Sequence, residues 1–203
     1  MIIAVDGPAA SGKGTIAKAL AAHFNLPMLD TGLLYRAVGV AVLRAQADPL
    51  DATKAIVACA FDDALLKDPA LRSEAAGQAA SKVSAHPAVR AALLQRQRDF
   101  ADRPGGAVLD GRDIGTVIAP NADAKLFVTA SAEARANRRA TELGGTSYDV
   151  ILADIRERDA RDSGRNAAPL IRAEDADLLD TTNLTIAAAI QRAIALVEAQ
   201  IRR

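Results

Sequence analysis

The sequence predicts an α/β protein: a five-stranded parallel sheet flanked by helices on both faces. Three observations lead there. Short apolar runs of strand length alternate with longer segments of helical periodicity, the pattern of strands joined by helical crossovers. The first run, Ile2-Ile3-Ala4-Val5, is continuously apolar, as a strand buried on both faces requires. Polar, glycine-bearing stretches follow three of these runs, at Asp6-Gly7, Asp30-Thr31-Gly32 and Asp110-Gly111-Arg112-Asp113. That is the sheet edge at which such folds bind ligands.

Taken in order, the first strand stops at Asp6-Gly7-Pro8. Ile16, Leu20 and Phe24 then recur at helical spacing with Ala17 and Ala21, predicting a helix that begins near Lys13. A second strand is expected around Pro27–Leu29, with a helix from about Gly32 to Ala45. From Asp48 to Val83 there are acids, Pro49 and Pro69 but no period-two alternation, which predicts short helices and not strands. Val89, Leu93, Leu94, Gln97 and Phe100 share one helical face. The remaining strands are expected at Ala107–Leu109, Lys125–Val128 and Ala176–Leu179, and a last helix carries Ile186, Ile190, Ile194, Val197 and Ile201.

The composition bounds the function. The chain has 203 residues, half of them apolar, and at roughly 150 residues per domain it reads as one core-forming domain over 1–203. Lys and Arg total 25 and so do Asp and Glu, and this balance argues against general electrostatic binding to nucleic acid or an anionic membrane. Aromatic residues make up 3% with no Trp, which disfavours base-stacking platforms. One cysteine, Cys59, forms no internal disulfide or zinc site and points to a reducing compartment. No apolar run reaches the roughly 18–20 residues of a bilayer span, and the first residues lack a basic stretch typical of a signal peptide. The expectation is a soluble, cytoplasmic protein.

The strongest motif is Gly7-Pro8-Ala9-Ala10-Ser11-Gly12-Lys13-Gly14-Thr15. Its Gly-x4-Gly-Lys spacing, between a buried strand and a helix, is that of a phosphate-binding loop. Such a loop turns successive backbone N–H groups toward phosphate oxygens, and the helix adds the positive end of its dipole. Lys13 is expected to reach the β- and γ-phosphates of a bound triphosphate, and Thr15 to offer its hydroxyl to Mg²⁺. The usual pattern sets Ser or Thr directly after the lysine; here Gly14 intervenes, the form found in nucleoside monophosphate kinases.

Arginines supply the second signal. Arg36 follows the second strand and Arg112 the third, Arg135, Arg138 and Arg139 share a predicted helix, and Arg156, Arg158, Arg161 and Arg165 fall in another segment. Transfer between two polyanions needs this charge, and a guanidinium grips phosphate with two donors at once. If the acceptor is itself a phosphate oxygen no general base is needed, which suits a chain with two histidines, His23 and His86. For Arg156 and Arg192 a solvated helix face is the plainer reading. Asp110 ends an apolar strand beside the loop. It has two readings: binding Mg²⁺ through water, or fixing the Arg112 loop by accepting backbone N–H bonds.

Together with the phosphate loop, Leu29-Asp30-Thr31-Gly32-Leu33-Leu34-Tyr35-Arg36, Leu109-Asp110-Gly111-Arg112-Asp113-Ile114-Gly115-Thr116 and Arg158-Asp159-Ala160-Arg161-Asp162 resemble the bacterial cytidylate kinase family. The resemblance runs from the first strand to the last helix. It implies a three-layer P-loop kinase fold with an acceptor-binding insertion at about 48–100 and a lid at about 144–168. It implies transfer of the γ-phosphoryl group of ATP to CMP or dCMP with Mg²⁺, by a monomer; no nucleic-acid or membrane partner is expected from the charge balance above. Lys13, Arg112, Arg139 and Arg165 would be catalytic, and Gly7 to Thr15 (Gly7, Pro8, Ala9, Ala10, Ser11, Gly12, Lys13, Gly14, Thr15) with Arg135 would bind the donor. Arg36, Arg112 and Arg165 would hold the acceptor phosphate near Thr31. Ser81, Arg90 and Asp113 would read cytosine, and Arg158 and Asp162 would reach the sugar. A carboxylate can accept from the cytosine N4 amino group but would face a carbonyl in uracil. The bland uses are a turn cap for Asp113, an ordinary helical serine for Ser81 and an exposed helix residue for Arg90. Thr31 stands where the family often has Ser, and the 48–83 segment is shorter than the family's insertion and lacks its strand-and-hairpin pattern.

Two other classes fit less well. A P-loop kinase for another nucleoside monophosphate or for shikimate explains the loop and the arginines but not Ser81, Arg90 and Asp113. A GTPase-type switch calls for an Asn-Lys-x-Asp motif, and none of Asn25, Asn121, Asn137, Asn166 and Asn183 begins one.

Overall fold

The computed structural model describes residues 1–143 and 146–202. The chain divides into two compact units, Met1–Leu29 with Phe100–Arg203, and Asp30–Asp99.

The first unit is built on the parallel sheet. Strand β1 (Ile2–Asp6) leads into helix α1 (Lys13–Phe24), followed by β2 (Met28–Asp30). The sheet order is β2-β3-β1-β4-β5, with β3 at Ala107–Gly111, β4 at Ala124–Thr129 and β5 at Asp177–Asp180. β1 lies between β3 and β4, with Val5 level with Asp110 and Leu126. This central position explains its apolar run: Ile3, Ala4 and Val5 are fully buried. The main core joins Ile3 and Val5 to Ile16 and Leu20 of α1 and to Ala193 and Val197 of helix α8 (Ile186–Ile201). Helices α6 (Ala132–Leu143) and α7 (Tyr148–Ser163) pack on each other through Ala136, Ile151 and Ile155. The expected lid begins at Gly144 and Gly145, which lie outside the described residues.

The strands sit within two residues of their expected bounds. β2 runs 28–30 where 27–29 was expected, because Asp30 closes the strand and caps the next helix: its Oδ1 accepts from the Gly32 amide at 2.9 Å. Helix α2 (Thr31–Arg44) therefore begins one residue earlier than expected.

The second unit is all helical. It contains α2, α3 (Ala52–Val57), α4 (Glu74–Val83) and most of α5 (Pro87–Ala101), with 3-10 turns at Ala58–Ala60, Asp63–Lys67 and Pro69–Arg72. The short-helix expectation for 48–83 holds. Aspartates and a serine set these starts, since Asp51, Asp62, Asp68 and Ser73 each accept a backbone N–H just downstream. The unit's core gathers Ala37, Val40, Leu71 and Ala76 with Phe61, Leu65 and Leu66.

Candidate active site

The loop from Gly7 to Gly12 has the backbone its sequence demands. Gly7 has φ +152°, and a Cβ there would lie 2.0 Å from the Val128 carbonyl oxygen, so no side chain fits. Gly12, at φ 87°, starts α1 from a left-handed conformation and offers no side-chain cap. Ala10 is also left-handed, at φ 59°, an uncommon state for a residue with a Cβ and one that collects at functional sites.

Two carbonyls of the loop are tethered from outside. Arg135 of α6 donates to the Ala9 oxygen at 3.3 Å, and the Thr181 hydroxyl donates to the Ser11 oxygen at 2.9 Å. Arg138 in turn donates to the Thr181 hydroxyl and carbonyl, at 3.1 and 2.6 Å. Arg135, expected beside the donor nucleotide, is buried and also grips Asp159 through both Nη atoms, at 2.9 and 2.6 Å. Its guanidinium thus braces the loop against α7. A cleft of about 340 Å³ opens beside Ala10–Ile16 and is walled by Leu184, Ile186, Ala189 and Ile190.

Lys13 lies 3.6 Å from the Asp110 carboxylate at the end of β3. A Cβ on Gly14 would come within 3.2 Å of Asp110 Oδ2, which gives a steric reason for glycine where the common pattern has Ser or Thr. The Thr15 hydroxyl and the Asp110 carboxylate are hard oxygen donors. They fit Mg²⁺, which takes one or two protein oxygens and completes its shell with phosphate and water.

The turn after Arg112 is held by another strand-end acid. Asp6, at the end of β1, accepts from the amides of Ile114 and Gly115, each at 2.8 Å. Those amides open a π-type turn, Ile114–Ile118, directly after Arg112 and Asp113. Asp113 makes no side-chain cap there, so the plain capping role does not apply to it. Burial pushes the Asp6 carboxyl up to about 7, opposed by its two amide hydrogen bonds and helped by the nearby Asp113 and Asp110 charges. Asp6 is a residue that sequence reasoning missed. Its signal was an acid inside an otherwise apolar strand, but its partners lie more than a hundred residues away.

A second cluster centres on Asp162. Arg112 Nε donates to it at 2.9 Å, and Arg165 lies 3.5 Å away while donating from Nε to the Asp162 carbonyl at 3.1 Å. Burial would raise the Asp162 carboxyl. The guanidiniums of Arg112, Arg165 and Arg158 outweigh that and hold it below its ordinary value. Four predicted residues are therefore brought together: Arg112, Arg158, Asp162 and Arg165. Arg139 pairs with Glu142 at 3.0 Å on the same helix. Arg156 pairs with Glu133 on the surface, as its plainer reading held.

In the helical unit, Arg36 donates from Nη1 to the carbonyls of Leu71 and Ser73, at 2.7 and 3.2 Å. Arg90 is buried with its guanidinium 5.6 Å from the centroid of the Tyr35 ring, a cation–π distance. Thr31 and Ser81 are buried, and the Ser81 hydroxyl has no hydrogen-bond partner among the described residues. Neither Ser81 nor Arg90 occupies an ordinary solvated helix position.

A phosphate loop on the central strand of a parallel sheet, with a lysine and clustered arginines at the strand ends, defines a P-loop kinase. Comparison with known proteins narrows the class. A family model described as "Cytidylate kinase" matches residues 3–199. The chain is 60% identical to the cytidylate kinase of Xanthobacter autotrophicus, covering 98% of both chains. It is 57% identical to that of a Caulobacter species, covering 97% of this chain and 94% of the relative. The chain belongs to the cytidylate kinase family. Among solved structures, the fold is similar to an uncharacterized protein from Eubacterium ventriosum, with TM-score 0.58, 16% identity and coverage of 98% and 99%. It is also similar to a sugar kinase from a Janibacter species, with TM-score 0.53, 14% identity and coverage of 99% and 96%.

Proposed function

We propose that this chain transfers the γ-phosphoryl group of ATP to CMP or dCMP, yielding ADP and CDP or dCDP. The observation that carries the reading is the glycine-hinged, uncapped start of α1 with Lys13 beside it, in a chain of this family. The triphosphate lies on the backbone N–H groups of Ala9–Thr15, and the adenine extends into the cleft walled by Leu184, Ile186, Ala189 and Ile190. An apolar wall suits a planar base. Lys13 draws charge from the β- and γ-phosphates. Thr15 and Asp110 would hold Mg²⁺, which neutralises phosphate charge when bound.

On the acceptor side, Arg36, Arg112 and Arg165 hold the CMP phosphate, with Thr31 near it. Arg158 and Asp162 reach the sugar, and Ser81, Arg90 and Asp113 read cytosine. The buried Ser81 hydroxyl with no protein partner supports that assignment, because a ligand would complete its hydrogen bonding. Arg139, with its partner Glu142 on the surface of α6, turns to the moving phosphoryl group. An acceptor phosphate oxygen is already anionic, so it attacks the γ-phosphorus as the bond to the ADP oxygen breaks, with no proton to remove. Catalysis is positioning and charge neutralisation, for which one arginine can supply about 10³–10⁵ in rate. The segment from about 144 to 168 acts as a lid that excludes water. The protein works as a cytoplasmic monomer without a nucleic-acid or membrane partner, and among the described residues no helix is long and apolar enough to cross a membrane.

The test is ADP release by purified protein with Mg²⁺, ATP and one acceptor at a time. CMP should be used well ahead of UMP, AMP and shikimate, and Asp113→Ala should narrow the CMP-to-UMP ratio by at least about ten-fold. No ADP from ATP with CMP would end the proposal, and an unchanged ratio would remove Asp113 from base reading.

A further inference from the structure

The Arg36 guanidinium is held from two sides within the helical unit. Its Nη1 is pinned by the Leu71 and Ser73 carbonyls, on the 3-10 turn before α4. Its other face lies on Gly77 of α4: a Cβ there would meet Nη2 at 3.2 Å, Nη1 at 3.5 Å and Cζ at 3.6 Å. The Ser73 carbonyl that receives Arg36 also receives the Gly77 amide, at 3.2 Å, so α4's first turn and the arginine share one acceptor. Gly77 and Ser81 are four residues apart and therefore on one face of α4.

Gly77 sits in the interior of a helix, where glycine is among the poorest choices. Its φ is not positive, so the backbone does not call for glycine. Space is the remaining reason, and the atoms that use the space belong to Arg36.

We propose that Gly77 is a positioning residue for the acceptor: its missing side chain seats the Arg36 guanidinium against α4, with the Leu71 and Ser73 carbonyls, in the pose that takes the CMP phosphate. This rests on the assignment of Arg36 to that phosphate. In this chain the short stretch 71–77 builds a seat for one arginine.

The experiment is a double-mutant cycle with Gly77→Ala, Arg36→Ala and the double variant, measuring KM and kcat for CMP, KM for ATP, and Tm. Alanine suits a helix interior, so Gly77→Ala should keep or raise Tm. A shift of the guanidinium by a few tenths of an ångström should raise KM for CMP about ten-fold, with KM for ATP changed less than about two-fold. Because Gly77 acts through Arg36, adding Gly77→Ala to Arg36→Ala should change nothing further. An unchanged KM for CMP in Gly77→Ala, or losses that add fully in the double variant, overturns the inference. So does a fall in Tm with equal losses for CMP and ATP, the mark of a packing residue. If Arg36→Ala itself leaves KM for CMP unchanged, the assignment of Arg36 has failed instead.

Discussion

Asp6 and Asp162 are both buried aspartates in the sheet-bearing unit, and their surroundings drive them in opposite directions. Asp6 accepts two backbone amides and faces two other carboxylates, and burial pushes it up to about 7. Asp162 suffers the same burial, but Arg112, Arg165 and Arg158 hold it ionised below its ordinary range. Amide dipoles alone do not offset the loss of hydration; guanidinium charges do. The first carboxylate fixes a turn. The second keeps several like charges close together.

Removing the Asp162 charge should have the largest effect. In Asp162→Ala the arginines lose their common counter-charge, and breaking a buried ion pair costs about 3–5 kcal/mol. At this chain length that lowers Tm by about 10 °C, and kcat/KM for CMP should fall more than about 100-fold as Arg112 and Arg165 lose their positions. A melt and a coupled assay on the same sample measure both. An unchanged Tm would mean the arginines find other partners, and the contrast with Asp6 would collapse.

Asp6→Asn should do less. One amide oxygen still accepts, but an NH₂ now faces a backbone N–H, costing about 1–3 kcal/mol, and the burial of a charge is relieved at the same time. A fall in kcat/KM for CMP of about ten-fold is expected, larger than the change in KM for ATP, since the turn after Arg112 and Asp113 loosens.

The smallest effect is the most diagnostic. Between the ordinary aspartate value of 3.8 and about 7, folded Asp6 keeps a proton that the unfolded chain has released. Its contribution therefore makes the fold more stable as pH falls through that window. Asp162 works the other way: its stabilisation is present above 3.8 and is lost as pH falls through its lowered folded value. Tm measured from pH 8 to 3 for the wild type, Asp6→Asn and Asp162→Asn should lose one slope in each variant. Loss of the same slope in both would refute the opposed titrations.

The contrast also marks what could be read from residues in order. The loop from Gly7 to Gly12 was legible because its glycine spacing is a motif of the backbone itself, with Gly12 left-handed and Gly7 pressed against the Val128 carbonyl. The central strands β1 and β3 were legible because burial on two faces leaves a short apolar run. The arginines were legible as a supply of charge, but not as an arrangement. Arg112 and Asp162 are 50 residues apart, and nothing local says that they pair. The guanidinium of Arg135 holds Asp159 and the Ala9 carbonyl, partners known only once α6 is folded against α7 and the loop after β1. Asp6 was passed over for the same reason, as the amides it serves lie 108 and 109 residues along the chain.

The two tethers on the phosphate loop have a mechanical result. A trans peptide unit is a rigid plate with its oxygen and its hydrogen at opposite ends. Arg135 pulls the plate between Ala9 and Ala10 by its oxygen, and Thr181 pulls the one between Ser11 and Gly12. The hydrogens on Ala10 and Gly12 are thereby aimed the opposite way before any nucleotide arrives. The orientation of these two peptide units is therefore set by α6 and by the residue after β5, and it is fixed when the protein folds.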